Sequence, residues 1–309
     1  MRLATFNVQN LRLRQRQGNL VLDGAMDQDF DDQPRLVEQD IADRHMTAKV
    51  IAEAKADIVA LQEVFDAETL EFFYTHFLLP AGSPAYPTRI CLPGNDGRGL
   101  DVAVLSKMEP LRVKSHADLT GADLGLIDLP EELRDHPLFR RDCLELDFNT
   151  FTLFVCHFKA PYPDEGKAQI VREAEARAVR TIVENRFPKP ETERWMIVGD
   201  FNESSMGNEN KTTALTPLKQ GFSEDILDRL PLGTDWTFEV PDTYIHSRPD
   251  RIFLSTRLAR EYPQTVPQIV RTGMTRYFYE LGSMAVHDEL KNHSHASDHA
   301  LVYADFPLL

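Results

Sequence analysis

The sequence predicts a layered α/β fold, and three observations predict it. Short apolar runs of strand length recur from one end to the other. Two long stretches between them have helical spacing. No repeat, low-complexity tract or linker divides the chain. At 309 residues there is enough chain for one large domain or two small ones with a substantial core. Without a linker, a single domain over 1–309 is expected.

The first strand is expected at 3–8. Residues 10–24 read as a hairpin turning at Gly18-Asn19, with Arg12, Arg14 and Arg16 on one face. An acidic loop with Asp23, Asp27, Asp29, Asp31 and Asp32 follows, so that 11–40 reads as an insertion. The Asp-x-Asp-x-Asp spacing is that of a calcium loop, but Asp32 stands where an EF-hand needs glycine, and a solvated loop is expected. Residues 43–56 have helical spacing. Strands are expected at 58–62 and at 102–105, where VAVL lacks polar alternation and should be covered on both faces. Pro/Gly-rich loops at 80–87 and 93–99 lie between them. At 143–148, Leu144, Leu146 and Phe148 alternate with Glu145 and Asp147, as in a half-buried strand. A strand at 152–157 precedes a helix at 165–185, which carries Glu173/Arg177 and Arg180/Glu184 at i,i+4 on an exposed face. WMIV at 195–198 again lacks alternation, and strands at 252–255 and 301–306 complete the set.

Composition narrows the possibilities. Acidic residues outnumber basic ones, 49 to 34, for a formal charge of −15. That argues against broad electrostatic capture of nucleic acid, though not against a polyanion met by a divalent metal and a few arginines. The three cysteines, Cys91, Cys143 and Cys156, are odd in number and far apart in sequence, and read as reduced core residues. No apolar run approaches the ~18 residues of a membrane span. The N-terminal MRLATFNVQN lacks the apolar core of a signal peptide, so the cytoplasm is the expected address.

Polar residues sit repeatedly at the ends of apolar strands. Asn7 lies in ATFNVQN, Glu63 ends IVALQEV, and His157 ends TLFVCHF. Asp200 and Asn202 follow WMIV, Asp250 precedes RIFLS, and Asp298-His299 precede ALVYADF. Each alone reads as a turn cap or a solvated strand end. Together, on strands lying side by side, they would converge on one cleft. Glu63, with Asp298 or Asn7, offers hard oxygen ligands suited to Mg²⁺ or Mn²⁺. Asp200 could polarise a water, with Asn202 holding it or a phosphate oxygen. His157 and His299 could stabilise a phosphoryl group, and Asp250 could orient His299. This set describes metal-assisted phosphoester hydrolysis.

ATFNVQN, IVALQEV, VCHFKAP, IVGDFNE, RPDRIFLS and ASDHALV, in this order, resemble the endonuclease/exonuclease/phosphatase superfamily over residues 3–306. The resemblance implies a four-layer sandwich of two packed mixed β-sheets flanked by helices, the deoxyribonuclease-I-like fold, with the site at one end of the sheets. It implies Glu63 as the metal-binding glutamate and Asn7 beside metal and phosphate. His157 corresponds to the first active-site histidine, and Asp200 with Asn202 to the pair near the attacking water. Asp298-His299 correspond to the final SDH, buttressed by Asp250.

Finer features bear on the substrate. FRRDCLEL resembles the stretch where deoxyribonucleases carry a phosphate-contacting arginine, here Arg141, although Arg140 could serve instead. Arg98 and Lys159 are divided between substrate contact and solvated charge, and Arg12, Arg14 and Arg16 between distant phosphates and an exposed face. Gln9 matches deoxyribonucleases, but Phe65 replaces their DNA-contacting arginine. His287, His293, His295 and His299 fit no zinc spacing. The expected activity is a Mg²⁺- or Mn²⁺-dependent phosphodiesterase. A nuclease acting on DNA or RNA is the first reading, a hydrolase of a small or lipid phosphoester the second, and a non-catalytic binding module the third.

Overall fold

Along the central strands, successive apolar side chains bury against different neighbours, which explains why those runs lack polar alternation. The computed structural model describes residues 1–25, 34–203, 213–219, 221–239, 245–274, 294–307 and 309. Asp27, Asp29, Asp31, Asp32, His287 and His293 lie outside the described residues, and with them the calcium-like spacing and half of the histidine group.

The strands in chain order are β1 (Arg2–Leu11), β2 (Leu13–Arg16), β3 (Asn19–Leu22), β4 (Ile58–Val64), β5 (Thr88–Cys91), β6 (Asp101–Ser106), β7 (Arg112–Lys114) and β8 (Cys143–Asp147). They continue as β9 (Thr152–His157), β10 (Trp195–Asp200), β11 (Ser223–Asp225), β12 (Phe238–Glu239), β13 (His246–Ser247), β14 (Asp250–Ser255), β15 (Gln268–Val270) and β16 (Leu301–Asp305). Helices are α1 (Pro34–Ala54), α2 (Ala67–Phe73), α3 (Glu131–Arg134), α4 (Glu165–Arg186), α5 (Thr216–Lys219) and α6 (Thr256–Glu261). The first helix thus begins well before the expected residue 43.

One sheet has the order β15-β16-β1-β4-β6-β5, the other β11-β14-β10-β9-β8-β7, and both mix parallel with antiparallel neighbours. Leu3, Ile58, Ala60 and Val104 of the first sheet pack against Leu153, Val155, Met196, Val198 and Ile252 of the second. The alternate residues Ala4, Phe6, Val8, Val59 and Leu61 face α1 and α2 through Ala48, Ile51, Leu70 and Phe73. On the far side, Phe154, Trp195, Ile197 and Phe253 face α4 through Ala174, Ala178, Val179 and Ile182. The result is the expected four-layer sandwich. Each fully buried Leu, Ile or Phe contributes roughly 1.5–3 kcal/mol of apolar burial.

Besides β12 and β13, the strands absent from the sequence reading are β5, β7, β11 and β15, the four edges of the two large sheets. They are three or four residues long and mostly half-buried or exposed, so no apolar run marks them. The β2–β3 hairpin turns at Gln17-Gly18, one residue earlier than expected, because Arg16 pairs with Asn19. Both turn residues have positive φ, 49° and 83°, as a two-residue hairpin turn requires. Cys143 and Cys156 are buried free thiols directly opposite each other across β8 and β9. Among the described residues no helix is long and apolar enough to cross a membrane.

Strand direction makes the site. Parallel β1 and β4, like parallel β9 and β10, finish at one end of the sandwich, where antiparallel β14 begins. The register places Asp200 opposite His157 on one side and Asp250 on the other.

Candidate active site

Backbone irregularities aim the polar side chains. In β4, Glu63 has φ 67° and sits where the register slips against both β1 and β6, a bulge that turns its carboxylate aside from the ladder. In β1, Gln9 and Asn10 also have positive φ, 49° and 52°. The Asn10 N–H then donates to Glu63 Oε2 at 2.9 Å. Gly199 has φ 142°, and a Cβ there would lie 1.9 Å from the Cys156 carbonyl oxygen. Only glycine lets β10 meet β9 one residue before Asp200. After the strand, the Asn202 N–H returns to Asp200 Oδ1 at 2.8 Å, an Asx turn with Asn202 at φ 50°.

These turns bring Asn7, Glu63, His157, Asp200, Asn202, Asp250, Asp298 and His299 into one cluster. Asn7 Nδ2 bridges two carboxylates, donating to Asp200 Oδ2 at 3.0 Å and to Glu63 Oε1 at 3.2 Å. His157 Nε2 lies 3.6 Å and His299 Nε2 3.8 Å from Asp200 Oδ2. His299 Nδ1 is 2.8 Å from Asp250 Oδ2, which also accepts the Thr237 hydroxyl at 2.7 Å. Asn202 Nδ2 donates to the Phe158 carbonyl at 3.0 Å and, more loosely, to Asp200 Oδ2.

Burial and neighbouring charge split the two histidines. Burial depresses the His157 pKa well below its ordinary value, helped by the charges of Arg141 and His299, so this imidazole is neutral. Burial also opposes charge on His299, but Asp250, Asp200 and Asp298 outweigh it and hold it as imidazolium. Burial pushes Asp200 up to about 6, with His299 pulling against it and Asp250 reinforcing it. Asp298 is likewise raised to about 6, by burial and by the charge of Glu63, against the pull of His299.

Two groups of side chains have metal-ligand character. Single ligand atoms of Asp200, Asp250 and His299 lie within 4.8 Å of one another. A cation there would have to compete with the hydrogen bond between Asp250 and His299. Glu63 and Asp298, by contrast, are carboxylates of which the first makes the second costlier to ionise, and both present hard oxygens that a divalent cation would neutralise. The residues present therefore fit a divalent metal, and the Glu63–Asp298 pair is the better place. Asn7 turns its amide nitrogen, not its oxygen, to the carboxylates, and its Oδ1 accepts from the Gln9 N–H at 2.9 Å.

The outlying cations are placed differently. Arg141 is 2% exposed, donating to the Phe158 carbonyl at 3.1 Å and pairing with Asp96 at 3.1 Å. The Arg98 side chain is 65% exposed and turns back on Asp96. Lys159 Nζ is tied to the carbonyls of Ala160 and Tyr162. Arg12, Arg14 and Arg16 share a face as expected, and all three reach the buried carboxylate of Asp23 at 2.7, 2.7 and 3.1 Å. On α4, Arg180 pairs with Glu184, but Arg177 pairs with Asp128 rather than Glu173.

The sequence profile of the Endonuclease/Exonuclease/phosphatase family matches residues 4–299. The chain belongs to that family. Its members are metal-dependent phosphoester hydrolases, and so is this protein. No curated protein matches it significantly in sequence. Among solved structures, a family protein from Leptotrichia buccalis C-1013-b is 17% identical with a TM-score of 0.58, each chain fully covered. A Bacteroides thetaiotaomicron mannosyl-6-phosphatase is 14% identical with a TM-score of 0.58, over 99% of this chain and 98% of its own. An AP endonuclease from Archaeoglobus fulgidus is 15% identical with a TM-score of 0.57, each chain fully covered. At these identities the likeness shows the fold.

Several residues around this family site lie outside the strand-end pattern. Thr237 precedes β12 as an ordinary polar residue, yet its hydroxyl fixes Asp250. Gln9 Oε1 accepts the Asp298 N–H at 2.9 Å, and the Ser297 hydroxyl donates to the Asn7 carbonyl at 2.7 Å. The i,i+2 spacing of Ser297 and His299 hints at the Ser297 turn, since the His299 N–H donates to that same hydroxyl.

Proposed function

We propose that the protein hydrolyses a phosphoester by attack of a water activated at Asp200, with Glu63 and Asp298 holding Mg²⁺ or Mn²⁺. The observation that carries this reading is the set of contacts converging on Asp200. Asn7 and Asn202 anchor its carboxylate, while two histidines of opposite charge state stand 3.6 and 3.8 Å from the same oxygen. As the water oxygen bonds to phosphorus, Asp200 Oδ2 accepts its proton, and the ester P–O bond breaks to release an alkoxide that solvent protonates. His299, kept cationic by Asp250, donates to a phosphoryl oxygen as negative charge develops there. Neutral His157 donates without adding charge. A divalent cation, when bound, supplies further charge stabilisation to the phosphate oxygens.

For the substrate, a small phosphoester is better supported than DNA or RNA. Arg141, Gln9 and the arginine hairpin were the reasons to expect a polymer. Arg141 is sealed beneath Asp96, Gln9 is engaged with Asp298, and the hairpin arginines reach Asp23. The charge of −15 also disfavours a long polyanion. Nucleic acid keeps one supporting feature, the exposed Arg98.

Nicking of supercoiled plasmid and phosphate release from a panel of small monoesters and diesters, each with Mg²⁺ or Mn²⁺, separate the two. Release without nicking supports the small substrate, and efficient nicking reverses the preference. Asp200→Asn should lower turnover at least about 10³-fold on whichever substrate is cleaved. Unchanged turnover in that variant would sink the mechanism.

A further inference from the structure

One buried cation is unexplained by the reaction. Arg44, on α1, is 0% exposed, and its described hydrogen bonds all go to backbone carbonyls. Nη1 donates to Val8 at 2.7 Å. Nη2 donates to Gln9 at 2.6 Å, Asn10 at 3.1 Å and Gly24 at 2.9 Å, and Nε donates to Asp23. Burial lowers its pKa to about 10, opposed by the surrounding carboxylates, and leaves it charged. A buried charge with no carboxylate in direct contact is costly, so the carbonyls it gathers need a reason.

Three of those carbonyls belong to the point where β1 leaves the ladder. Gln9 and Asn10 are consecutive non-glycine residues of left-handed φ, a conformation the chain does not hold unaided. Their carbonyls turn to one side, where only a group with several donors in a fixed fan can answer all of them. The opposite edge of the same bulge faces the metal end of the site. There the Asn10 N–H holds Glu63 Oε2, and Gln9 Oε1 holds the Asp298 N–H, each at 2.9 Å. The remaining two carbonyls, Asp23 and Gly24, lie where the chain returns from the β2–β3 hairpin.

We propose that Arg44 is a positioning residue for the metal site. It holds the Gln9-Asn10 bulge in the conformation that aims Glu63 and Asp298 at one cation, and it ties that conformation to the seating of the hairpin. This rests on the reading that Glu63 and Asp298 bind the metal.

The test is Mn²⁺ binding to the full chain by calorimetry and by the electron-spin signal of the free ion. Four proteins are compared: wild type, Arg44→Lys, Gln9→Ala and Glu63→Gln. Lysine keeps the charge but cannot span the five carbonyls. Arg44→Lys should bind Mn²⁺ about 10-fold or more weakly. The Mn²⁺ concentration for half-maximal activity should rise by more than kcat falls, with far-UV circular dichroism unchanged. Gln9→Ala, which removes only the bond to Asp298, should weaken binding in the same direction; if Arg44→Lys does not fold, wild-type binding in Gln9→Ala overturns the coupling of the bulge to the metal site on which the role of Arg44 depends. Binding within twofold of wild type in Arg44→Lys, with binding lost in Glu63→Gln, overturns the role of Arg44 alone. Wild-type binding in Glu63→Gln overturns the metal-site reading, and this proposal with it.

Discussion

At the scale of single residues, the site is a problem of buried charge solved by pairing. Asp250 is fully buried, and one of its oxygens is committed to both the Thr237 hydroxyl and the His299 imidazolium. A carboxylate beside an imidazole favours the protonated ring, so removing it lowers the ring's pKa. Asp250→Asn should therefore bring the His299 pKa down, read by NMR titration of the ring. It should also reduce kcat by about 10²–10⁴-fold. An unchanged ring titration would mean that Asp250 does not set the charge of His299. Most of this site was legible, because Asn7, Glu63, His157, Asp200, Asp250 and His299 each follow or precede an apolar run. Thr237 and Arg44 were not, and Gln9 was read only as a match to deoxyribonucleases, without its bond to Asp298. Their importance lies in what their atoms reach across the fold, and nothing in their immediate neighbours marks it.

At the scale of elements, the central strands were legible and the edges were not. A strand covered on both faces must be apolar throughout, whereas β5, β7, β11 and β15 have only one paired side and carry polar residues. Helix α4 shows the same limit. Its i,i+4 charges show in the sequence, but Glu175, fully buried on the same helix, accepts the N–H groups of Arg140 at 3.0 Å and Lys159 at 2.8 Å. It thereby fixes both segments that flank His157 and Arg141. Burial raises its pKa to about 7, against the pull of those N–H groups and of Arg141. A carboxyl raised in the folded state holds its proton there while the unfolded chain has lost it. The stability it contributes is complete below the unfolded value, ~4.3, and is lost as pH rises to about 7. Unfolding by urea at pH 4.5, 6 and 7.5 should show this decline in wild type. In Glu175→Gln the decline should be smaller, by on the order of 3 kcal/mol across the range. Parallel curves for the two proteins would remove Glu175 as the titrating group.

At the scale of the whole molecule, the site straddles the join between the sheets. Asn7, Glu63, Asp298 and His299 come from the sheet of β1, β4 and β16, while His157, Asp200 and Asp250 come from that of β9, β10 and β14. The three apolar clusters that hold the layers together contain none of these residues. Chelation should thus stop the reaction without unfolding the protein. With excess EDTA, activity should vanish while the circular dichroism spectrum persists. Adding Mn²⁺ at about 100 times its dissociation constant should raise the unfolding free energy by about 2.7 kcal/mol. A cooperative collapse on adding EDTA would mean that the metal is structural.

The pairing of β1 with β16 has one more consequence. Arg2 lies opposite Asp305, and the Met1 amino group donates to the Phe306 carbonyl at 2.8 Å, at the pole of the sandwich away from Asn7. The first and last strands are therefore next-door neighbours whose outer tips almost touch. The sheet that carries Asn7 is complete only once segments 305 positions apart in sequence have met, and long-range pairing of this kind is slow to form.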